Sequence, residues 1–242
     1  MTRSTSVGAL AVIMAMALWL AQGAQAASEE KLAELLTKLM QTGRKVVSDH
    51  QALINDPEKG DKGFTADFLA ERVIADFAKA TGIDLRKPVG EDGRLLTTLL
   101  DAEKEVVTEA QSVINRPGMG FKGFIPASFV RKTAEKFSAR SGINIKFTAL
   151  EYRNARNKPD AFEVKAFTAI GAPDYPKGQP FQQTVTLNGR RVVRLMFPEY
   201  ATKSCLSCHG APRGEIDITG GKKEGQKEGD LAGALSFTIP LK

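Results

Sequence analysis

Two cysteines and a histidine stand together near the C-terminus, in the order Cys-x-x-Cys-His at residues 205–209. Two thiols at this spacing reach the two vinyl groups on one edge of a porphyrin and form thioethers with them. The histidine that follows then lies beneath the iron, where an imidazole nitrogen is a common axial ligand. The sequence therefore predicts one covalently attached haem c, bound through Cys205 and Cys208, with His209 as a ligand of its iron.

Two other uses of the same thiols are a redox-active dithiol and half of a zinc site. A dithiol of the thioredoxin type stands in a βαβ context, which the sequence around Cys205 lacks. A zinc site needs four ligands, and the sequence offers no fourth ligand nearby. The chain has only these two cysteines, and a disulfide between them would close too short a loop to stabilise the fold.

The second axial position of the iron has several candidate ligands. His50 is the only other histidine. It falls on the apolar face of a predicted helix, where a buried imidazole needs a polar partner or a metal. The position that matches it in an internal repeat is Ala110, so helix packing does not require histidine there. Met196 is the main competitor, because a thioether is the other common cytochrome ligand. Met40, Met119 and an open or water-bound position complete the alternatives.

The secondary structure predicted around these residues changes from helices to mainly strands near residue 143. On its N-terminal side, apolar residues recur at helical spacing from Glu29 to Asn55, and a second helix is predicted from Ala66 to Ala80. Residues 44–86 then align without a gap on residues 104–146, with a Lys-Gly-Phe triplet and several flanking residues identical. The repeat predicts two copies of a helix–loop–helix unit that pack on each other or on the C-terminal half.

The C-terminal half has the pattern of a small sheet. Residues 143–150 alternate as a strand does, residues 161–170 suit a short helix, and residues 231–241 suit a last strand. Asn188-Gly189 separates two further strands and supplies the positive φ angles of a two-residue hairpin turn. The predicted fold class is α+β, with duplicated N-terminal helical hairpins packed on an antiparallel sheet that carries the haem.

The first 26 residues have the layout of a cleaved signal peptide. Arg3 lies in a polar start, residues 9–21 are apolar, and Ala24-Gln25-Ala26 is a small-residue cleavage site. We therefore expect a leader over 1–26, a duplicated helical region over 27–142 and a haem domain over 143–242. The mature chain is expected in the bacterial periplasm, with no further membrane span.

The charge of the chain gives little indication of nucleic-acid binding. The net charge is +6, and the basic residues are spread along the chain. The densest cluster, at residues 222–228, is interleaved with acidic residues and glycines and lacks stacking aromatics. We therefore predict a solvated loop there and no nucleic-acid partner.

With these residues in view, the chain resembles the bacterial periplasmic haem-c sensor domain, a family with a PAS-like fold that occurs alone and at the front of sensor histidine kinases. The resemblance is carried by five stretches: Gln51–Asn55, Lys122–Phe124, Arg153–Glu163, Cys205–Gly210 and Gly229–Ala234. In at least one branch it implies an axial cysteine from an N-terminal helix. This chain has no third cysteine, so His50 would be the substitute. No kinase, transmembrane or methyl-accepting region follows Lys242, so we expect a signal to pass to a separate partner.

These features predict a stand-alone haem module that responds to redox state or a small ligand, with an unidentified periplasmic redox or signalling protein as partner. A soluble electron carrier is the alternative, since it needs only a saturated iron and an exposed haem edge. A haem enzyme such as a peroxidase would need an open iron position and a distal acid–base group. His50 cannot be that group if it binds iron, so we expect no catalysis.

Overall fold

The structure is a computed structural model that describes residues 6–241, with side chains described from residue 27 onward. The helices are α1 (Ser6–Asp49), α2 (Gln51–Ile54), α3 (Ala66–Thr81), α4 (Gly90–Ile114), α5 (Pro126–Ser141), α6 (Ala161–Ile170) and α7 (Leu206–His209). The strands are β1 (Asn144–Thr148), β2 (Phe181–Leu187), β3 (Arg190–Tyr200) and β4 (Leu231–Pro240). The predicted α+β fold class is confirmed.

The predicted leader falls largely outside this description. Residues 1–5 are not described, and residues 6–26 are described only as the first part of α1. The leader therefore stays a prediction. Among the residues that the structure describes, no helix has the length and apolarity needed to span a bilayer.

The duplicated unit forms a pair of helical hairpins, α1–α3 and α4–α5, whose connecting loops exchange hydrogen bonds. The backbone N–H of Lys122 donates to Oδ1 of Asn55 at 2.9 Å. The equivalent N–H of Lys62 donates to Oδ1 of Asn115 at 3.2 Å. Because identical residues of the two copies make reciprocal bonds, the two hairpins are related by a pseudo-twofold axis. The hairpins pack on each other, which is one of the two arrangements that the repeat predicted.

The helix ends follow from local sequence. Thr65 begins α3 by accepting a hydrogen bond from the N–H of Phe68 at 3.1 Å. Gly82 and Gly142 end the second helix of each copy in the left-handed conformation, with φ of 76° and 73°. A side chain at either position would be strained, which explains why the repeat has glycine at both.

The sheet is antiparallel in the order β1-β4-β3-β2. Asn188 and Gly189 adopt φ angles of 50° and 75° between β2 and β3, which confirms the predicted hairpin turn. One face of the sheet packs on the helical hairpins in a core that includes Leu195 and Phe237. The other face packs on α6 around Met196, which is fully buried.

Helix α1 is fastened to the end of β3. Arg44 Nη2 lies 2.6 Å from one oxygen of Glu199, and Gln41 Nε2 donates to the other at 2.6 Å. Glu199 is buried, so its two polar contacts compensate the loss of water around the carboxylate. These bonds connect the first helix to the strand that leads to the Cys-x-x-Cys-His motif.

Candidate functional site

The Cys-x-x-Cys-His motif lies on two short turns that follow β3, a 3₁₀ turn at Lys203–Cys205 and the single-turn helix α7. Helical backbone brings residues three apart to one side of the turn, so Cys205 and Cys208 can approach the same ligand edge. Both thiols are unpaired and half-buried. Gly210 ends the turn, and a Cβ on it would lie 2.5 Å from the carbonyl oxygen of Leu206.

The imidazole of His209 is oriented by a carboxylate that comes from a later loop. His209 Nδ1 lies 2.7 Å from Oε2 of Glu224, whose side chain is only 9% exposed. An ionised carboxylate only accepts hydrogen bonds, so Nδ1 carries a proton, and in the neutral imidazole Nε2 then has the free lone pair. No hydrogen bond to Nε2 occurs among the described residues. A histidine that binds a metal through Nε2 needs this protonation state and this orientation.

Arg153 joins the motif to the loop that contains Glu224. Its Nε and Nη2 donate to the two oxygens of Glu224, at 2.6 Å and 2.9 Å. Its Nη1 donates to Asp217 at 2.5 Å, and Nη2 also donates to the carbonyl oxygens of Cys208 and Lys222. A planar guanidinium with its donors in a fixed fork suits such a multiple contact. Arg153 therefore fixes the loop against the end of α7.

Both carboxylates of this network are held as anions. Burial raises the pKa of Asp217, but hydrogen bonds from Thr219 and Arg153 outweigh it and leave the pKa well below its usual range. Burial likewise raises the pKa of Glu224, and the hydrogen bonds from Arg153 and His209 bring it below its usual value. The network thus combines one cation with two anions next to His209.

The prediction of a solvated loop at residues 222–228 is wrong for Glu224. Lys222 and Lys227 are exposed as expected, but the Glu224 side chain turns inward to His209 and Arg153. Sequence reasoning missed Glu224 and Asp217 as site residues. The available signal was acidic residues between glycines in a loop that follows the Cys-x-x-Cys-His motif closely enough to fold back on it.

His50 lies at a one-residue break between α1 and α2, half-buried. Its Nδ1 donates to the carbonyl oxygen of Val46 at 2.7 Å, and its ring contacts the rings of Phe64 and Phe68. The imidazole competes for a carbonyl that the helix backbone also uses, whereas α4 continues unbroken through the equivalent Ala110.

The bond to Val46 leaves Nε2 of His50 free of hydrogen bonds from the described residues. This is the nitrogen that could bind a metal. No hydrogen bond or ring contact joins His50 to His209 among those residues. The pairing of the two histidines on one iron therefore stays a prediction.

Of the competing methionines, Met196 and Met40 lie in apolar surroundings. Met196 is fully buried beneath α6 with Phe167 and Ala234, and Met40 is fully buried in the core of the helical hairpins. Met119 lies in the loop of the second copy, where its carbonyl oxygen accepts a hydrogen bond from Lys122. Met196 and Met40 therefore contribute to apolar packing in the described residues, and the choice among the candidate second ligands stays a prediction.

Large apolar side chains lie exposed around the polar network. Leu150 is 58% exposed and Tyr152, the residue before Arg153, is 40% exposed. Ile216 and Ile218, on either side of Asp217, are 58% and 67% exposed. Exposed apolar groups close to a polar anchor are typical of a surface that covers a ligand or partner.

The chain is similar to one described protein family and to a solved haem-protein structure. The profile of a family described as Tll0287-like matches residues 22–240. No curated protein matches the chain significantly. Among solved structures, the crystal structure of the cyanobacterial heme-protein Tll0287 is similar with a TM-score of 0.44 and 23% sequence identity, and the match covers 64% of this chain and 98% of that chain.

Proposed function

On the premise that the chain belongs to the Tll0287-like family, we propose that it is a haem protein with one haem c. Cys205 and Cys208 form the thioethers to the porphyrin, and His209 Nε2 binds the iron. When bound, the haem supplies an iron that changes oxidation state and exchanges ligands. The polypeptide holds the porphyrin, orients the axial imidazole and limits the access of water to it.

The observation that best supports this proposal is the hydrogen bond between His209 Nδ1 and Glu224. A buried carboxylate costs free energy to desolvate, and here its position fixes the orientation of the His209 ring. A metal-binding histidine regularly has one, because the partner fixes the tautomer and the ring orientation. The residues present therefore suit the proposed cofactor in donor type, spacing and protonation state.

The exposed apolar residues beside the network fit the same proposal. A porphyrin presents two wide apolar faces, and its burial against Leu150, Tyr152 and Ile216 would remove those side chains from water. Each square ångström of apolar surface so buried contributes about 25 cal/mol.

We propose that His50 is the second axial ligand and that the protein acts as a redox or small-ligand sensor in the periplasm. His50 directly follows α1, while His209 belongs to the segment after β3, so the two iron bonds would join separate elements. Arg44 and Glu199 fasten α1 to the sheet, so loss of the His50 bond would free only the segment of the chain beyond Arg44. Such a release converts a change at the iron into a change of helix position.

An electron carrier is the second candidate, and the rigidity of the His209 site favours it. Glu224 holds Nδ1 of the imidazole, and Arg153 holds both Glu224 and the carbonyl oxygen of Cys208, so the ligand geometry would change little between oxidation states. The two functions differ in the fate of the second ligand. Retention of both axial ligands on reduction indicates a carrier, and loss of one indicates a sensor.

Covalent haem binding is tested with protein made in a host that attaches c-type haem. We expect haem staining of the denatured polypeptide and a mass equal to polypeptide plus one haem. Cys205→Ser should lose a thioether and Cys208→Ser the other, whereas Ser207→Ala, a matched change inside the motif, should keep both. Colourless wild-type protein with the mass of polypeptide alone would overturn the proposal.

A further inference from the structure

We infer that Glu224 is a positioning residue that makes His209 a stronger electron donor and thereby lowers the reduction potential of the bound iron. The inference rests on the proposed function. It adds a tuning role for a residue that binds neither the porphyrin nor the iron. Three features support this role: the hydrogen bond between Glu224 and His209, the burial of the Glu224 side chain, and the charges around it.

The acceptor at His209 Nδ1 is an anion. A hydrogen bond to an ionised acceptor is roughly twice as strong as one to a neutral carbonyl. It draws the Nδ1 proton toward the carboxylate, which increases the electron density on Nε2 and the basicity of the ligand. A more basic ligand stabilises ferric iron relative to ferrous iron, so the reduction potential falls.

The burial of Glu224 makes this effect local and strong. Its side chain is 9% exposed, and its other bonds run to Arg153. Water therefore screens the carboxylate only weakly, while the His209 side chain is 37% exposed. Coulomb interactions are larger around the buried carboxylate than in bulk solvent. Arg153 shares the carboxylate and moderates its charge, which keeps Glu224 ionised beside the imidazole.

Asp217 adds a second negative charge behind Arg153. Its side chain is fully buried and lies 2.5 Å from Nη1 of the same guanidinium. Arg153 divides its positive charge between the two carboxylates, so Arg153, Glu224 and Asp217 together hold one excess negative charge. That excess also favours the ferric state of a nearby iron, in the same direction as the bond to His209 Nδ1.

His50 provides an internal contrast. Its Nδ1 donates to the neutral carbonyl oxygen of Val46, which increases the basicity of the ring less than a carboxylate does. If both histidines bind the iron, the structure assigns the stronger bond to His209. The His50 bond is then the one that breaks on reduction or on ligand binding.

The test compares reduction potentials of purified holoprotein variants by spectroelectrochemical titration. Glu224→Gln keeps a neutral hydrogen-bond acceptor at nearly the same place and removes the charge. Glu215→Gln is the matched control, because Glu215 lies in the same loop, is half-exposed and pairs with Lys223. We expect Glu224→Gln to raise the potential clearly more than Glu215→Gln does, with Glu224→Asp closer to the wild type.

If Glu224 had a purely structural role, its replacement would lower the reduction potential. Opening of the loop admits water, which stabilises the more highly charged ferric site and lowers the potential. The frequency of the iron–histidine stretch in the Raman spectrum of a five-coordinate ferrous form gives a second readout, and it should fall in Glu224→Gln as the bond weakens. An unchanged or lowered potential in Glu224→Gln, with haem still attached, would overturn the inference.

Further outcomes separate this inference from the function on which it rests. Wild-type protein without covalent haem overturns the proposed function and the inference together. If Glu224→Gln fails to assemble, Asp217→Asn removes a negative charge from the same network without touching His209. The potential of Asp217→Asn should also rise, and an unchanged value there contradicts the inference while leaving haem attachment intact.

Discussion

Glu103 on α4 is a buried carboxyl group whose replacement should stabilise the protein. Its side chain is fully buried, and neither of its oxygens has a hydrogen-bond partner among the described residues. It packs against Gly43 of α1, and a Cβ on Gly43 would lie 2.6 Å from Cδ of Glu103. Gly43 and Glu103 directly precede the aligned stretches of the two copies, and the larger residue fills the space that the smaller one leaves.

Glu103→Met keeps the length of the side chain and removes the unpaired polar atoms. A buried polar group without a partner costs about 1–3 kcal/mol, so the free energy of unfolding should rise by that amount. Burial also raises the pKa of Glu103 well above its usual range. The folded chain therefore keeps a proton that the unfolded chain releases above the ordinary carboxyl pKa of about 4.3.

The sign of the pH dependence follows from this proton. Between the ordinary and the raised pKa, the folded state binds more protons than the unfolded state, so wild-type stability falls as pH rises. The slope is about 1.4 kcal/mol per pH unit in that window. Glu103→Met lacks this titration, and its advantage over the wild type should therefore be larger at about pH 8 than at about pH 5.

Urea unfolding of the mature protein at the two pH values measures both quantities. Glu34→Met, an exposed change on α1, is the matched control and should alter stability by less than about 0.5 kcal/mol. A Glu103→Met variant that is no more stable than the wild type would refute the reasoning. An advantage that does not grow with pH would contradict the buried neutral carboxyl.

The contact with Gly43 can be tested separately. Alanine is favoured over glycine inside a helix by about 1 kcal/mol, yet Gly43→Ala should destabilise by about 1–3 kcal/mol because the new methyl meets Glu103. Combination with Glu103→Ala should relieve most of that loss. Additive effects of the two changes would show that the helices do not meet as described.

The remaining predictions concern the iron ligand, the α1 fastening and the acid limit of stability. His50→Ala should convert a six-coordinate low-spin ferric spectrum to high spin, and an unchanged spectrum would exclude His50 as a ligand. Glu199→Gln should lower the free energy of unfolding by about 1–3 kcal/mol, because it weakens a buried bond to Arg44. A loss no larger than that of an exposed Glu→Gln change would show that the Arg44–Glu199 bond does not hold α1 to the sheet. The lowered pKa of Asp217 stabilises the fold above the ordinary aspartate pKa, and this contribution is lost as pH falls through the lowered folded value. Asp217→Asn should therefore show a flatter decline in melting temperature with acidification, and a parallel decline would count against the network.

Features that depend on local chemistry could be predicted from the sequence. The Cys-x-x-Cys-His motif, the Asn-Gly hairpin turn and the helix-ending glycines act through neighbouring residues, so their spacing is sufficient to identify them. The repeat was also readable, because it requires only a comparison of the chain with itself. The α+β class and the family resemblance, both confirmed, follow from these local patterns.

The tertiary structure alone decided which residues surround His209 and how the two copies meet. Arg153 and Glu224 are 71 positions apart, and each belongs to a polar segment that looks like any solvated loop. Glu103 likewise has nothing in its neighbourhood along the chain that marks it as buried. Its burial results from the crossing of α1 and α4 at a glycine. Spacing determines chemistry only within a turn or two of backbone, and beyond that distance packing determines which charges lose their water and which partners they find.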